Sequence, residues 1–195
     1  MSSPGLQVFS AGSIIGRTLE GTVNQIAVSN KDGDAGDPTV SFDTYRVLST
    51  QPCFLATVGT TISDVTGNST AYTVLFDTVV FDQGPNYTAG TGLFTAPVTG
   101  KYFFYSCLAL QDIGAAHTLN YLTFATSATG AYIVRSGKLS TIVGADGLIS
   151  VQGRITVNMS SGNTCKIAIT VGGGTKIVDV YGDGKSSYFC GYLCL

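Results

Sequence analysis

Of the side chains that could do chemistry, the scarcest is histidine: the 195-residue chain has one, His117, in QDIGAAHTLN. A Ser–His–Asp hydrolase would have to use it, yet no G-x-S-x-G elbow is present to carry the nucleophile. A zinc site would need it beside cysteines at ligand spacing, and no pair of the five (Cys53, Cys107, Cys165, Cys190, Cys194) has C-x-x-C spacing. His117 therefore reads as a loop or strand-edge residue. Cys107, Cys190 and Cys194 lie in apolar runs, where a thiol packs as a small hydrophobe. The five are expected to be buried free thiols, which implies folding in a reducing compartment.

Carboxylates are the other candidates. Asp32, Asp34 and Asp37 cluster in KDGDAGDP, partly in the manner of a calcium loop, without its sixth-position Gly or its distant bidentate Glu. The same composition makes ordinary Asx turns. Asp179, Tyr181 and Asp183 form a second, weaker oxygen-rich set. The expectation is no cofactor, with calcium kept as a minority alternative, and no catalytic residue. VGGGTK (171–176) lacks the strand–loop–helix context of a phosphate loop, and the sequons at Asn68, Asn86 and Asn158 read as incidental.

The elements that would position these residues are strands. Period-2 alternation recurs and no long helical period appears. Strands are expected over 71–82 (AYTVLFDTVVFD), 101–110, 119–125, 148–158, 165–171 and 187–195. Turn chemistry separates them: DQGP, PVTG, ADG, SSGN and GDG. Many short strands without interleaved helices mean a sandwich or barrel. Charged residues make up 11% of the chain, which carries 25 glycines and a formal charge of −2. That balance argues against nucleic acid, whose phosphates need a basic face. No run approaches the roughly 18 apolar residues of a spanning helix. MSSPGLQVFSAGS lacks a basic n-region and an apolar core, so neither membrane insertion nor ordinary secretion is expected.

In GLFTAPVTGKYFFYS (92–106), apolar residues occupy both faces of the strand after the turn. Phe94, Tyr102, Phe103, Phe104 and Tyr105 are too many for one core-facing side, and Tyr188, Phe189 and Tyr192 repeat the arrangement near the end. Such a strand needs a cover on its second face. Residues 17–42, by contrast, have sparse apolar positions (Leu19, Ile26, Val28, Val40, Phe42) that cannot enclose a core alone. That spacing favours a strip stabilised beside identical strips over a flexible linker.

Residues 72–110 (YTVLFDTVVFDQGPNYTAGTGLFTAPVTGKYFFYSCLAL) resemble the central block of the C1q/TNF-like jelly-roll family, with Gly92, Phe94, Pro97, Gly100, Tyr102 and Phe104 in register. SSYFCGYLCL is similar to its closing strand at Phe189, Gly191, Tyr192 and Leu193, with Cys190 where Ser is usual. ITVNMSSGNTCKIAITV fits its strand–turn–strand unit, with Gly162–Asn163 replacing Gly–Asp. RTLEGTVNQIAVSNKDGDAGDPTVSF (17–42) resembles a module of phage tail-fibre proteins. The resemblance implies an all-β, ten-stranded-type jelly-roll sandwich (51–195) in a homotrimer, preceded by a short β-rich trimeric shaft (1–50). Collagen-like G-X-Y repeats are missing.

On this reading the second apolar face is covered by other copies. The protein is then the non-enzymatic tip of a virion fibre, made in a host cytoplasm and joined to upstream fibre or baseplate proteins. It adsorbs to a host cell-surface glycan or protein through loops at the end away from the shaft. The contact residues expected there are Tyr181, Asp183 and Lys185 in the loop 178–187, with Arg135 and Lys138 around 135–147. Alternatives of other classes are a ligand-free trimerising cap and a secreted C1q-like binding protein.

Overall fold

The computed structural model describes residues 26–29, 39–42, 51–138, 141 and 147–194. The chain divides into two compact units, residues 1–49 and 50–195. In the first, β1 (Ile26–Ser29) pairs antiparallel with β2 (Thr39–Phe42), setting Ile26 opposite Phe42 and Val28 opposite Val40. The cluster Asp32, Asp34 and Asp37 lies outside the described residues.

The second unit is a sandwich of two antiparallel sheets. In chain order its strands are β3 (Cys53–Thr57), β4 (Ile62–Thr66), β5 (Ala71–Thr73), β6 (Thr78–Gln83), β7 (Tyr87–Thr88), β8 (Leu93–Thr95), β9 (Gly100–Gln111), β10 (Leu119–Thr126), β11 (Gly130–Arg135), β12 (Ile149–Met159), β13 (Thr164–Gly172), β14 (Val178–Val180) and β15 (Tyr188–Cys194). The first sheet is centred on β9, flanked by β12 on one side and by β15 and β14 on the other. β15 continues to β3 and β6, and β14 to β4. The second sheet runs β11, β10, β13, β8, β7, with β5 also on β13.

The expected strands at 101–110, 119–125, 148–158, 165–171 and 187–195 are β9, β10, β12, β13 and β15, each within a residue or two. The expected single strand 71–82 is instead two. β5 pairs with β13 and β6 pairs with β3, so residues 74–77 cross from one sheet to the other. On the way Val74 and Phe76 drop fully into the core. Asp77 holds the crossing by accepting the Gly59 amide at 2.7 Å. An unbroken strand could join only one sheet, whereas the break lets Ala71–Thr73 pair with β13 and Thr78–Gln83 with β3. Residues 178–180, expected as loop, form the short strand β14.

The core between the sheets is built on stacked rings. Phe54 lies flat against Tyr87 and Phe94 at 5.1 and 5.0 Å between centroids, and Phe189 meets Phe54 edge-on at 4.9 Å. Tyr102 and Phe104 project from β9 into this cluster, fully buried. Gly191 is required where it sits: a Cβ there would fall 2.4 Å from the Phe104 ring. Tyr87 donates its hydroxyl to the Phe76 carbonyl. Burial raises its phenol far above the ordinary range.

Antiparallel order fixes the two ends of this unit. Gln51 donates to the Leu193 carbonyl and Leu193 N–H to the Pro52 carbonyl, which ties both ends of the head together. The loops 58–61, 67–70, 112–118, 173–177 and 181–187 lie at the opposite end, because β3, β4, β9 and β13 run toward it and β15 starts from it.

Candidate functional site

β9 alternates from Lys101 to Leu108. Tyr102, Phe104, Ser106 and Leu108 face the core, while Phe103, Tyr105 and Cys107 face outward and are half-buried. β15 does the same, with Phe189 and Gly191 inward and Tyr188, Cys190 and Tyr192 outward. Register then makes rows across the outer face. One row sets Phe81, Leu55, Cys190 and Tyr105 side by side; the next sets Cys53, Tyr192 and Phe103. Phe103 meets Tyr192 at 5.2 Å and Tyr105 meets Tyr188 at 5.7 Å. Tyr192 is 46% exposed and Phe81 49%, and Val80 beside it is 56% exposed. Charge enters at the rim, through Lys101 on β9 and Arg154 on β12. Next to this face a cleft of about 400 Å³ opens between Tyr105, Val134, Gln152, Gly153 and Arg154. There the Tyr105 hydroxyl donates to Gln152 Oε1.

The aromatic residues expected at an interface or core therefore separate into two groups. Phe94, Tyr102, Phe104 and Phe189 are wholly interior to one copy and cannot touch another. Phe103, Tyr105, Tyr188 and Tyr192 are on the outer face.

The expectation of buried thiols needs correction. Cys165 alone is buried, and its thiol is pushed up to about 12 by that burial. Cys53, Cys107, Cys190 and Cys194 are half-buried and free. Cys53, Cys107 and Cys190 belong to the outer face, where β3, β9 and β15 alternate. Desolvation raises Cys107 and Cys190 as well, which keeps them as thiols at neutral pH.

The second candidate surface is the end opposite residue 51. Tyr181 is half-buried, its amide donating to the Ala109 carbonyl and its carbonyl accepting from Ser187 Oγ. Asp183 is exposed but engaged: Oδ1 accepts the amides of Lys185 and Ser186, and Oδ2 accepts the Ser186 hydroxyl at 2.7 Å. The Ser186 hydroxyl first, and then the two amides, hold its carboxyl below the ordinary value. Lys185 is exposed. Asp179, from the weaker oxygen-rich set, accepts the Asp64 amide at 2.7 Å. Among the described residues no group of three or more His, Cys, Asp or Glu side chains is placed to hold a metal ion.

Arg135 ends β11 on the other sheet, its guanidinium 4.5 Å over the Tyr121 ring. Lys138 follows it, exposed. The loop beyond, at 139–140 and 142–146, lies outside the described residues. The five expected contact residues thus share one end of the head but hang from two different sheets. Sequence reasoning missed Tyr121, which pairs with Arg135 across β10 and β11, because the register was not known. His117 lies in a loop as expected, but its burial, with both ring nitrogens engaged by backbone, was not foreseen.

Among the described residues the arrangement offers an apolar face and a cluster of loops. Comparison with known proteins agrees in kind. The globular domain of zebrafish complement 1qA superposes with a TM-score of 0.52 at 17% identity, covering 74% of this chain and 98% of that one. Murine APRIL at pH 8.0 gives 0.52 at 12% identity, covering 74% and 99%. Eiger TNF from S. frugiperda gives 0.51 at 13% identity, covering 75% and 94%. At such identities these likenesses speak to the fold alone. No curated protein matches the sequence. The model of the C1q domain matches residues 54–194, almost the whole sandwich, and the chain belongs to the C1q domain family.

Proposed function

We propose that this protein is a non-enzymatic adhesion head that works as a homotrimer, most specifically the receptor-binding tip of a virion fibre. The observation that carries the assembly is the outer face of the β9–β15–β3 sheet. Its rows of Phe103, Tyr105, Tyr188, Tyr192, Leu55 and Phe81 are apolar where a monomer's sheet would be polar. The fibre reading rests on the resemblance of residues 17–42 to tail-fibre modules. A C1q-like binding protein outside any virion fits the family membership equally well.

Three heads would present their loops 58–61, 112–118, 173–177 and 181–187 together. Trivalency raises avidity by roughly 10²–10⁴ without a tight single site, so a shallow polar glycan or protein contact suffices. Tyr181, Lys185, Arg135 and Lys138 are the side chains with reach there.

The test is binding of the labelled full chain to a panel of bacterial and animal cells and to a glycan array. Trimer-dependent binding to bacterial surface glycans supports the fibre tip. Binding confined to animal cell-surface proteins favours the C1q-like binding protein. No binding by an intact trimer would overturn adsorption and leave a structural cap.

A further inference from the structure

The chain's one histidine is 3% exposed, and both its ring nitrogens bond backbone atoms of different loops. Nδ1 accepts the Gly114 amide at 2.8 Å, so it carries no proton. Nε2 therefore bears the hydrogen and donates to the Thr175 carbonyl, 3.1 Å away. Glycines press in around the ring: a Cβ on Gly174 would fall 2.5 Å from it, and one on Gly67 3.1 Å from Nε2. Backbone bonds complete the knot, from Gly174 N–H to the Gly67 carbonyl and from Thr118 N–H to the Gly172 carbonyl. One imidazole thus bonds the loop 112–118 to the loop 173–177, which a backbone bond ties in turn to Gly67 of the loop 67–70, at the end opposite residue 51.

We propose that His117 is an acid-sensitive clasp for this loop cluster. A proton on Nδ1 converts the acceptor into a donor aimed at the Gly114 N–H, and two donors cannot share that bond. The ring has no other acceptor role there, and an imidazolium in so enclosed a site lacks water to solvate it. Relief comes when residues 112–116 swing away from Nδ1 and let water reach it, while Nε2–H keeps its bond to the Thr175 carbonyl. The other ionisable side chains on the three loops are Asp112 and Lys176, both exposed. The clasp's consequence is an end of the head whose loops are set at neutral pH and loosened in acid.

The experiment is an NMR titration of the full 195-residue chain from pH 8 to 5. It follows the His117 ring together with the amides of Gly114, Gly174 and Thr175. Because there is one histidine, the ring signal is unambiguous. The three amides are expected to shift with the same midpoint as the ring. Their exchange protection, corrected for intrinsic rates, is expected to fall at least about 10-fold. His117→Asn, whose Oδ1 can accept from Gly114 without titrating, is expected to show no such response. A ring that titrates while the amides stay still would overturn the proposal. So would a ring that stays neutral to pH 5, or a His117→Asn response equal to the native one. Should the variant fail to fold, the native titration decides alone.

Discussion

Asp183 shows how a side chain suited to ligand contact can be engaged elsewhere. Its carboxylate braces residues 183–186 through three hydrogen bonds, which leaves Tyr181 and Lys185 as the fairer probes of that loop. Tyr181→Ala with Lys185→Ala is expected to abolish cell binding, read by whole-cell adsorption, with the solution mass unchanged. Asp183→Ala should also weaken binding, but through a loosened loop, visible as shifts of the Lys185 and Ser186 amides. The pH dependence of this brace has a definite sign. A carboxyl held below its ordinary 3.8 keeps the brace intact above that value, and the brace is lost as pH falls through the lower, folded-state value. The Ser186 amide shift should therefore stay constant from pH 7 to 5 and move only in stronger acid. Thiols divide as sharply. Cys165, with its thiol near 12, should resist a disulfide reagent at pH 8 until the protein unfolds, as counted by released chromophore.

Strands were the most legible level of this molecule, and the reason is alternation. β9, β10, β12, β13 and β15 each turn alternate residues toward the core over most of their length, so a period-2 pattern marks them directly. The crossing at 74–77 was illegible because it buries Val74 and Phe76 without pairing, and in sequence that looks like one more alternating strand. β14 was missed because three residues between turns carry no period. Of the surfaces, the doubly apolar character of 101–107 and 188–192 could be seen in the residues. Which rings stack across strands could not, since that needs the register. Packing at these strands sets expected stabilities. Phe54→Ala removes a ring that stacks on Tyr87 and Phe94, and should cost about 3–5 kcal/mol in denaturant unfolding. Gly191→Ala drives a methyl into Phe104 and the Phe103 carbonyl, for about 1–3 kcal/mol.

At the scale of the whole molecule, what covers the outer face of one sheet decides the assembly. The interior is closed within a single copy, where Phe54, Phe104, Phe189 and their neighbours are sealed between two sheets. The remaining rows, with Phe81 at 49% and Tyr192 at 46% exposure, would be a liability on a free head. Other copies of the chain are the proposed cover, and Phe81→Glu with Tyr192→Glu should then yield a folded monomer. The most direct measurement is the mass of the unaltered full chain in solution, by light scattering at micromolar concentration. A homotrimer gives three times the 20.2 kDa of one chain, persisting on dilution. A stable species of 20.2 kDa would contradict it.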